Sequence, residues 1–207
     1  MKEPIMLKSF ALLALLVLPI LLTAATGCDL NDPDADVKRL FPESTGYKTS
    51  YLSLTKIGGK TALQEVEKRL GDRFTGSYEQ VDVPYTLYTI FRDKTLIGYV
   101  HGVNQKGQYG GLQVFLALNP QGKIIAFYFQ KLSSKQGKLF KSKEFASQFK
   151  GLSLRDFADL NIKTGIGTGK AAAIKNPTPD ARTDFLATLR GVKKNLILMD
   201  MFVFNKK

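Results

Sequence analysis

Residues 98–130 read GYVHGVNQKGQYGGLQVFLALNPQGKIIAFYFQ, and this stretch decides the fold. With Ile97 added, it holds three alternating apolar runs, 97–103, 112–118 and 123–130, each with the period of a β-strand. The second connection, Asn119-Pro120-Gln121-Gly122, is hairpin chemistry: proline presets φ at the second position and glycine accepts a positive φ. The first connection, residues 104–111, is longer than a hairpin needs. It sets Gln108 and Tyr109 beside Gly110 and Gly111, where a backbone can approach a ligand closely. A plain hairpin loop with no ligand is the competing reading.

Working outward, residues 85–91 alternate as a further strand that leads through Arg92-Asp93-Lys94 into the first run. Before it, residues 61–70 carry Leu63, Val66 and Leu70 at helical spacing, and Gly71 supplies a C-cap. After the sheet, residues 142–149 form a helix with Phe145 and Phe149 one turn apart, and Ser153 with Asp156 makes a capping box. The C-terminal helix is capped by Thr178, opens on Pro179, and carries Phe185, Leu189, Val192, Leu196 and Met199 on one stripe. That stripe packs over the sheet, with Arg190, Lys193 and Lys194 expected on the solvated side. Strands in the middle and helices on either side predict an α+β fold: an antiparallel sheet packed with helices, including a long C-terminal one.

The first 27 residues differ in kind. Lys2 and Lys8 precede an uncharged run, residues 9–27, with a leucine-rich core. The run closes on Ala25-Thr26-Gly27-Cys28, which resembles a bacterial lipoprotein signal in which the cysteine is acylated and becomes the new N-terminus. Ala25 stands where that signal carries leucine. An uncleaved membrane anchor and a buried structural thiol are the alternatives. Each membrane reading places the domain on the outer side of a bacterial cell membrane, facing the periplasm or the exterior. Residues 28–46, opening DLNDPDAD after the cysteine, read as a polar tether, and residues 47–207 as the domain. Cys28 is the single cysteine, so no disulfide supports the fold and it stands on its core.

The formal net charge is +12. On a tethered domain this favours anionic lipid headgroups or an acidic redox carrier, and no nucleic-acid motif accompanies it. With one histidine and one cysteine, metal spacing and most triads are excluded. His101 lies in a strand and is expected to be a satisfied core residue.

The run Lys163-Thr164-Gly165-Ile166-Gly167-Thr168-Gly169-Lys170 looks like phosphate chemistry. It is not a P-loop, since Thr164 replaces the first glycine and Ala171 the hydroxyl residue after the lysine. It lacks the last glycine of a dinucleotide fingerprint as well. Consecutive N–H groups in such a turn can still make an anion nest.

Residues 98–168, with Gly107, Tyr109-Gly110-Gly111 and the turn 119–122, resemble the FMN-binding domain family, which includes flavoprotein subunits of RNF and sodium-pumping NADH:quinone oxidoreductase complexes. Many members carry FMN as a phosphoester on the last threonine of a Ser/Thr-Gly-Ala-Thr signature. Thr164-Gly165 matches its first half, whereas Ile166 and Gly167 replace the alanine and the acceptor. The resemblance therefore implies FMN held non-covalently, with Thr168 the alternative covalent acceptor if the loop shifts by one residue. It implies cofactor contacts from Gln108, Tyr109, Gly110, Gly111, Lys163, Thr164, Gly165 and Thr168. The expected role is electron transfer beside a membrane redox complex, rather than turnover by a stand-alone enzyme. The alternative is a non-catalytic lipoprotein that assembles or stabilises a membrane complex without flavin.

Overall fold

The computed structural model describes residues 28–76 and 78–205. The targeting segment read at residues 1–27 lies outside the described residues. The sheet is a five-stranded antiparallel meander in chain order: β1 (Gly46–Leu52), β2 (Tyr85–Arg92), β3 (Thr95–Lys106), β4 (Gly111–Leu118) and β5 (Ile124–Leu132). With helices on both faces, it is the expected α+β arrangement.

Alternation sorts the side chains. Leu87, Val103, Val114, Leu116, Phe127 and Phe129 join the main core, while Tyr88, Ile90, Val100, Phe115 and Ala117 join a second cluster on the opposite face. Both faces being covered, β4 is buried along nearly its whole length. Two glycines permit the tight approach on the second side. A Cβ at Gly98 would meet the Phe41 ring at 2.5 Å and the Leu118 carbonyl oxygen at 2.4 Å, and one at Gly102 would meet the Phe115 ring at 2.5 Å.

The 119–122 turn forms as its residues dictate, with the Asn119 carboxamide oxygen accepting from the Gln121 and Lys123 N–H groups. The other connection is shorter than the sequence suggested. β3 runs on to Lys106 and β4 starts at Gly111, so only four residues remain, closed by Gly107 N–H to Gly110 C=O at 2.8 Å.

Helix α2 (Lys60–Leu70) ends on the left-handed Gly71 as expected. Two short helices follow the sheet, α3 (Gly137–Phe140) and α4 (Lys143–Ser147), the second capped by Ser142. Ser153 and Asp156 pair as a box, but around one 3₁₀ turn, Leu154–Phe157. The C-terminal element begins as a 3₁₀ turn, Pro179–Ala181, without a side-chain cap from Thr178, continues as α5 (Arg182–Met199), and ends in a π turn, Asp200–Phe204.

Two expectations are corrected. Residues 28–46 are not a tether. Asp32 caps helix α1 (Pro33–Leu40), whose acidic first turn suits the positive end of its dipole, and Leu30, Val37 and Phe41 are buried against the sheet. The acids that read as linker are the wet side of a packed helix, so the folded domain reaches back to residue 28. Nor is the Arg190–Lys193–Lys194 side of α5 solvated: these residues keep 8%, 3% and 0% of their exposure. From Thr188 to Met199 helix α5 is covered all round, with the sheet on one side and α2 and the 3₁₀ turn at Leu154–Phe157 on the other.

Candidate functional site

The first turns of α5 gather the two segments that the sequence singled out. Asp184 is fully buried, and its Oδ1 accepts the Gln108 N–H at 2.7 Å. Two residues before it, Arg182 donates from Nη2 to the Thr164 carbonyl oxygen at 2.8 Å. The glycine-flanked hairpin and the glycine-rich loop, far apart in the chain, are thereby fixed to one helix end. A Cβ at Gly107 would lie 2.9 Å from Asp184 Oδ1, and one at Gly165 would lie 3.2 Å from Leu186, so glycine lets both loops close onto α5. Asp184 Oδ2 has no hydrogen-bond partner among the described residues, an open acceptor on the side of α5 that faces the hairpin.

Tyr109 leaves 49% of its surface exposed, with the Lys135 ammonium 4.9 Å from its ring centroid. Gly110 closes against Ser133, and Gly111 begins β4 opposite Lys106.

The glycine-rich loop is divided between two side chains. Thr164 and Gly165 turn their N–H groups to Asn161, the first to its side-chain oxygen and both to its carbonyl. Further on, the Asp159 carboxylate accepts from Thr168 N–H at 2.6 Å, from the Thr168 hydroxyl, and from Gly169 N–H at 3.2 Å. The Thr168 hydroxyl is the largest influence holding that carboxyl below its ordinary range. Three donors thus converge on one anionic group, the donor set an anion requires. Lys163 is not part of it. Its ammonium lies 3.3 Å from Asp72, on a cleft of about 560 Å³ shared with Gln64, Glu67 and Arg73.

Sequence reasoning missed the buried charge cluster beneath α5's far side. Arg190 uses every donor it has: Nε to Asp72, Nη1 to Glu79 and Gln105, Nη2 to Glu79 and the Arg73 carbonyl. Lys194 reaches Glu79 at 2.5 Å and the Asn104 carbonyl oxygen at 2.6 Å. Burial works against a charged Glu79, but Arg190 and Lys194 outweigh it and hold its carboxyl low. Burial lowers Lys194 to about 8 against the pull of Glu79. A cleft of about 460 Å³ opens above, lined in part by Thr75, Tyr78, Glu79 and Lys106. One sequence signal pointed here: the unbroken apolar run Leu196-Ile197-Leu198-Met199 leaves that half of the helix no wet side.

His101 is buried in β3. Its Nδ1 pairs with Asn195 Oδ1 at 2.9 Å, and burial lowers its pKa to about 4. Its Nε2 and the Tyr85 hydroxyl are both unpartnered among the described residues, with ring centroids 5.9 Å apart, so the expected full satisfaction holds for one nitrogen only. Cys28 is buried on the α1 face, and burial pushes its thiol up to about 12.

Among the described residues, no helix is long and apolar enough to cross a membrane, and no group of three or more His, Cys, Asp or Glu side chains could hold a metal ion. No protein-family model matches the chain, and no curated protein matches it.

Proposed function

We propose that this chain is a membrane-anchored, extracytoplasmic FMN-binding protein that acts in electron transfer. The reading is supported by one junction: the Gly107–Gly110 turn and the Thr164–Gly165 segment share the first turns of α5, where Asp184 keeps a buried oxygen open. An N–H of a ring system inserted there would answer that acceptor. Tyr109 offers an exposed face beside glycines, and Thr168 with Gly169 offers donors already aimed at an anion. FMN, when bound, supplies reversible one- and two-electron transfer, and nearby lysines favour its anionic reduced form. The chain's own work is to hold and orient. Its phosphate would take the place of the Asp159 carboxylate, held non-covalently, with the Thr168 hydroxyl the covalent alternative. The anchor rests on the apolar segment before Cys28, whose acylation would require that buried side chain to leave the α1 face.

A second reading is favoured by Asp159 itself. Because that carboxylate already satisfies the donors, the domain can close the loop without a cofactor and serve as a non-catalytic lipoprotein that assembles or stabilises a membrane complex. An absorption spectrum of the purified full chain, before and after addition of FMN at micromolar concentration, separates the two. Stoichiometric yellow protein that reduces and reoxidises reversibly would end the flavin-free reading. Colourless protein that leaves added FMN free would end the flavin reading.

A further inference from the structure

The segment 131–150 reads KLSSKQGKLFKSKEFASQFK: six lysines against one acid, Glu144. All six lysines are exposed, and none forms an ion pair among the described residues. They ride on a rigid base. Phe140, Phe145 and Phe149 are buried beneath them, with Phe149 stacked on Phe127 of β5 at 4.1 Å between centroids. Lys175 is drawn to the same flank by a reciprocal pair of hydrogen bonds between its backbone and the Gln148 carboxamide. One apolar side chain stands among the charges, Leu139 at 42% exposure.

The position of the chain's entry gives this surface its occupant. Asp29 and Asn31 are tied to Gln130, next to Lys131, through Gln130 Nε2 to the Asp29 carbonyl at 2.7 Å and Asn31 N–H to Gln130 Oε1 at 3.1 Å. The uncharged apolar segment before residue 28 therefore joins the domain at the lysine-bearing end of β5. We infer that the surface formed by Lys131, Lys135, Lys138, Lys141 and Leu139 rests on the anionic phospholipid headgroups of the bilayer that holds the N-terminal segment. A lysine close to an anionic bilayer attracts it by about fivefold in affinity, and an exposed Leu suits the interfacial zone. Short-range attraction needs the surface held near the membrane; β5 is an edge strand, so the chain that enters on its α1 face and the lysines on its other face share one edge of the sheet. This inference rests on the membrane-anchored reading, not on bound flavin.

The test uses the full chain on vesicles of phosphatidylcholine alone and of phosphatidylcholine with phosphatidylglycerol as about a third of the lipid. Flotation reads anchoring, and the rate at which an acylating reagent modifies each lysine, followed by mass spectrometry, reads the surface. The chain should float with both vesicles. Lys131, Lys135 and Lys138 should react several-fold more slowly on the phosphatidylglycerol vesicles, and molar salt should erase the difference. The triple variant Lys131→Glu, Lys135→Glu, Lys138→Glu should still float while Lys141 loses its dependence on lipid composition; its circular dichroism confirms that it folds. Flotation with equal lysine reactivity on both vesicles would overturn the surface and leave the anchor standing. Flotation with phosphatidylglycerol vesicles only, lost in salt, would keep the surface and overturn the anchor. No flotation with either overturns both, and protection by an acidic polypeptide but not by phosphatidylglycerol assigns the lysines to a protein partner and overturns the lipid assignment.

Discussion

Arg190 and Glu79, 111 residues apart in sequence, meet in a two-point contact: Nη1 to Oε1 at 2.6 Å and Nη2 to Oε2 at 3.0 Å. The pair pins the segment after α2 to the middle of α5, and both side chains are at least nine-tenths buried. Arg190→Met leaves Glu79 with Lys194 alone in a low-dielectric site, and should lower stability to urea by about 3–5 kcal/mol. Arg190→Met combined with Glu79→Leu should lose less than the two single changes summed. An additive double-mutant cycle would show that the contact carries no coupling.

The pH dependence on the acid side follows from His101. Its pKa in the folded chain, about 4, lies below the unfolded value near 6.5, so the unfolded state takes up the proton first. Stability is full above the unfolded pKa and is lost as pH falls from about 6.5 towards 4, on the order of 3 kcal/mol across the window. His101→Gln should flatten that part of a urea-midpoint profile. An unchanged slope in the variant would assign the loss to the carboxylates.

Lys194 acts at the other end. Burial lowers its folded pKa to about 8 from 10.5, so between those values the unfolded chain holds more protons and stability rises with pH. The wild-type profile should climb relative to Lys194→Met from about pH 8 upward. Parallel profiles for the two proteins would place the proton elsewhere.

Asp159 competes with any anion for Thr168 and Gly169. If FMN phosphate uses those donors, Asp159→Asn should bind FMN about tenfold more tightly, because a neutral carboxamide yields the site more readily than a carboxylate. Fluorescence quenching on titration measures it. Equal affinity in the two proteins would move the phosphate to another part of the chain.

Gly98→Ala tests whether α1 belongs to the domain. Its new methyl meets the Phe41 ring and the Leu118 carbonyl, an overpacking that should cost about 1–3 kcal/mol. Adding Phe41→Leu should recover part of the loss, since only the backbone contact remains. No recovery on adding Phe41→Leu would mean that the 28–41 segment does not pack there.

How far the sequence could be read depended on how local each signal was. The 119–122 turn, the Gly71 cap, the Ser153–Asp156 pair and the alternating strands are short-range, and the structure keeps all of them. What escaped depends on partners distant in the chain. Arg190 and Lys194 look like a wet helix face until Asp72 and Glu79 arrive from the segment after α2. Acids at 29–36 look like linker until Phe41 finds Gly98. In the candidate site, the glycines at 107 and 165 were legible, but Asp184 and Asp159, which define what the two loops contact, are single acids with no surrounding pattern.

The strand order has a consequence for how such a chain reaches its folded state. Because β1 to β5 pair in the order in which they occur, a chain emerging N-terminus first can lay down each strand beside the one before it. Helix α5 is different: it comes last, and it covers the apolar side of β3 and β4 at the middle of the sheet. Until it is delivered, Val103, Val114 and Leu116 face water, and Glu79 has no cation to receive it. The vulnerable interval of folding is therefore the wait for the final helix, and a chain cut short before Arg182 would be a complete sheet left open to chaperones and proteases.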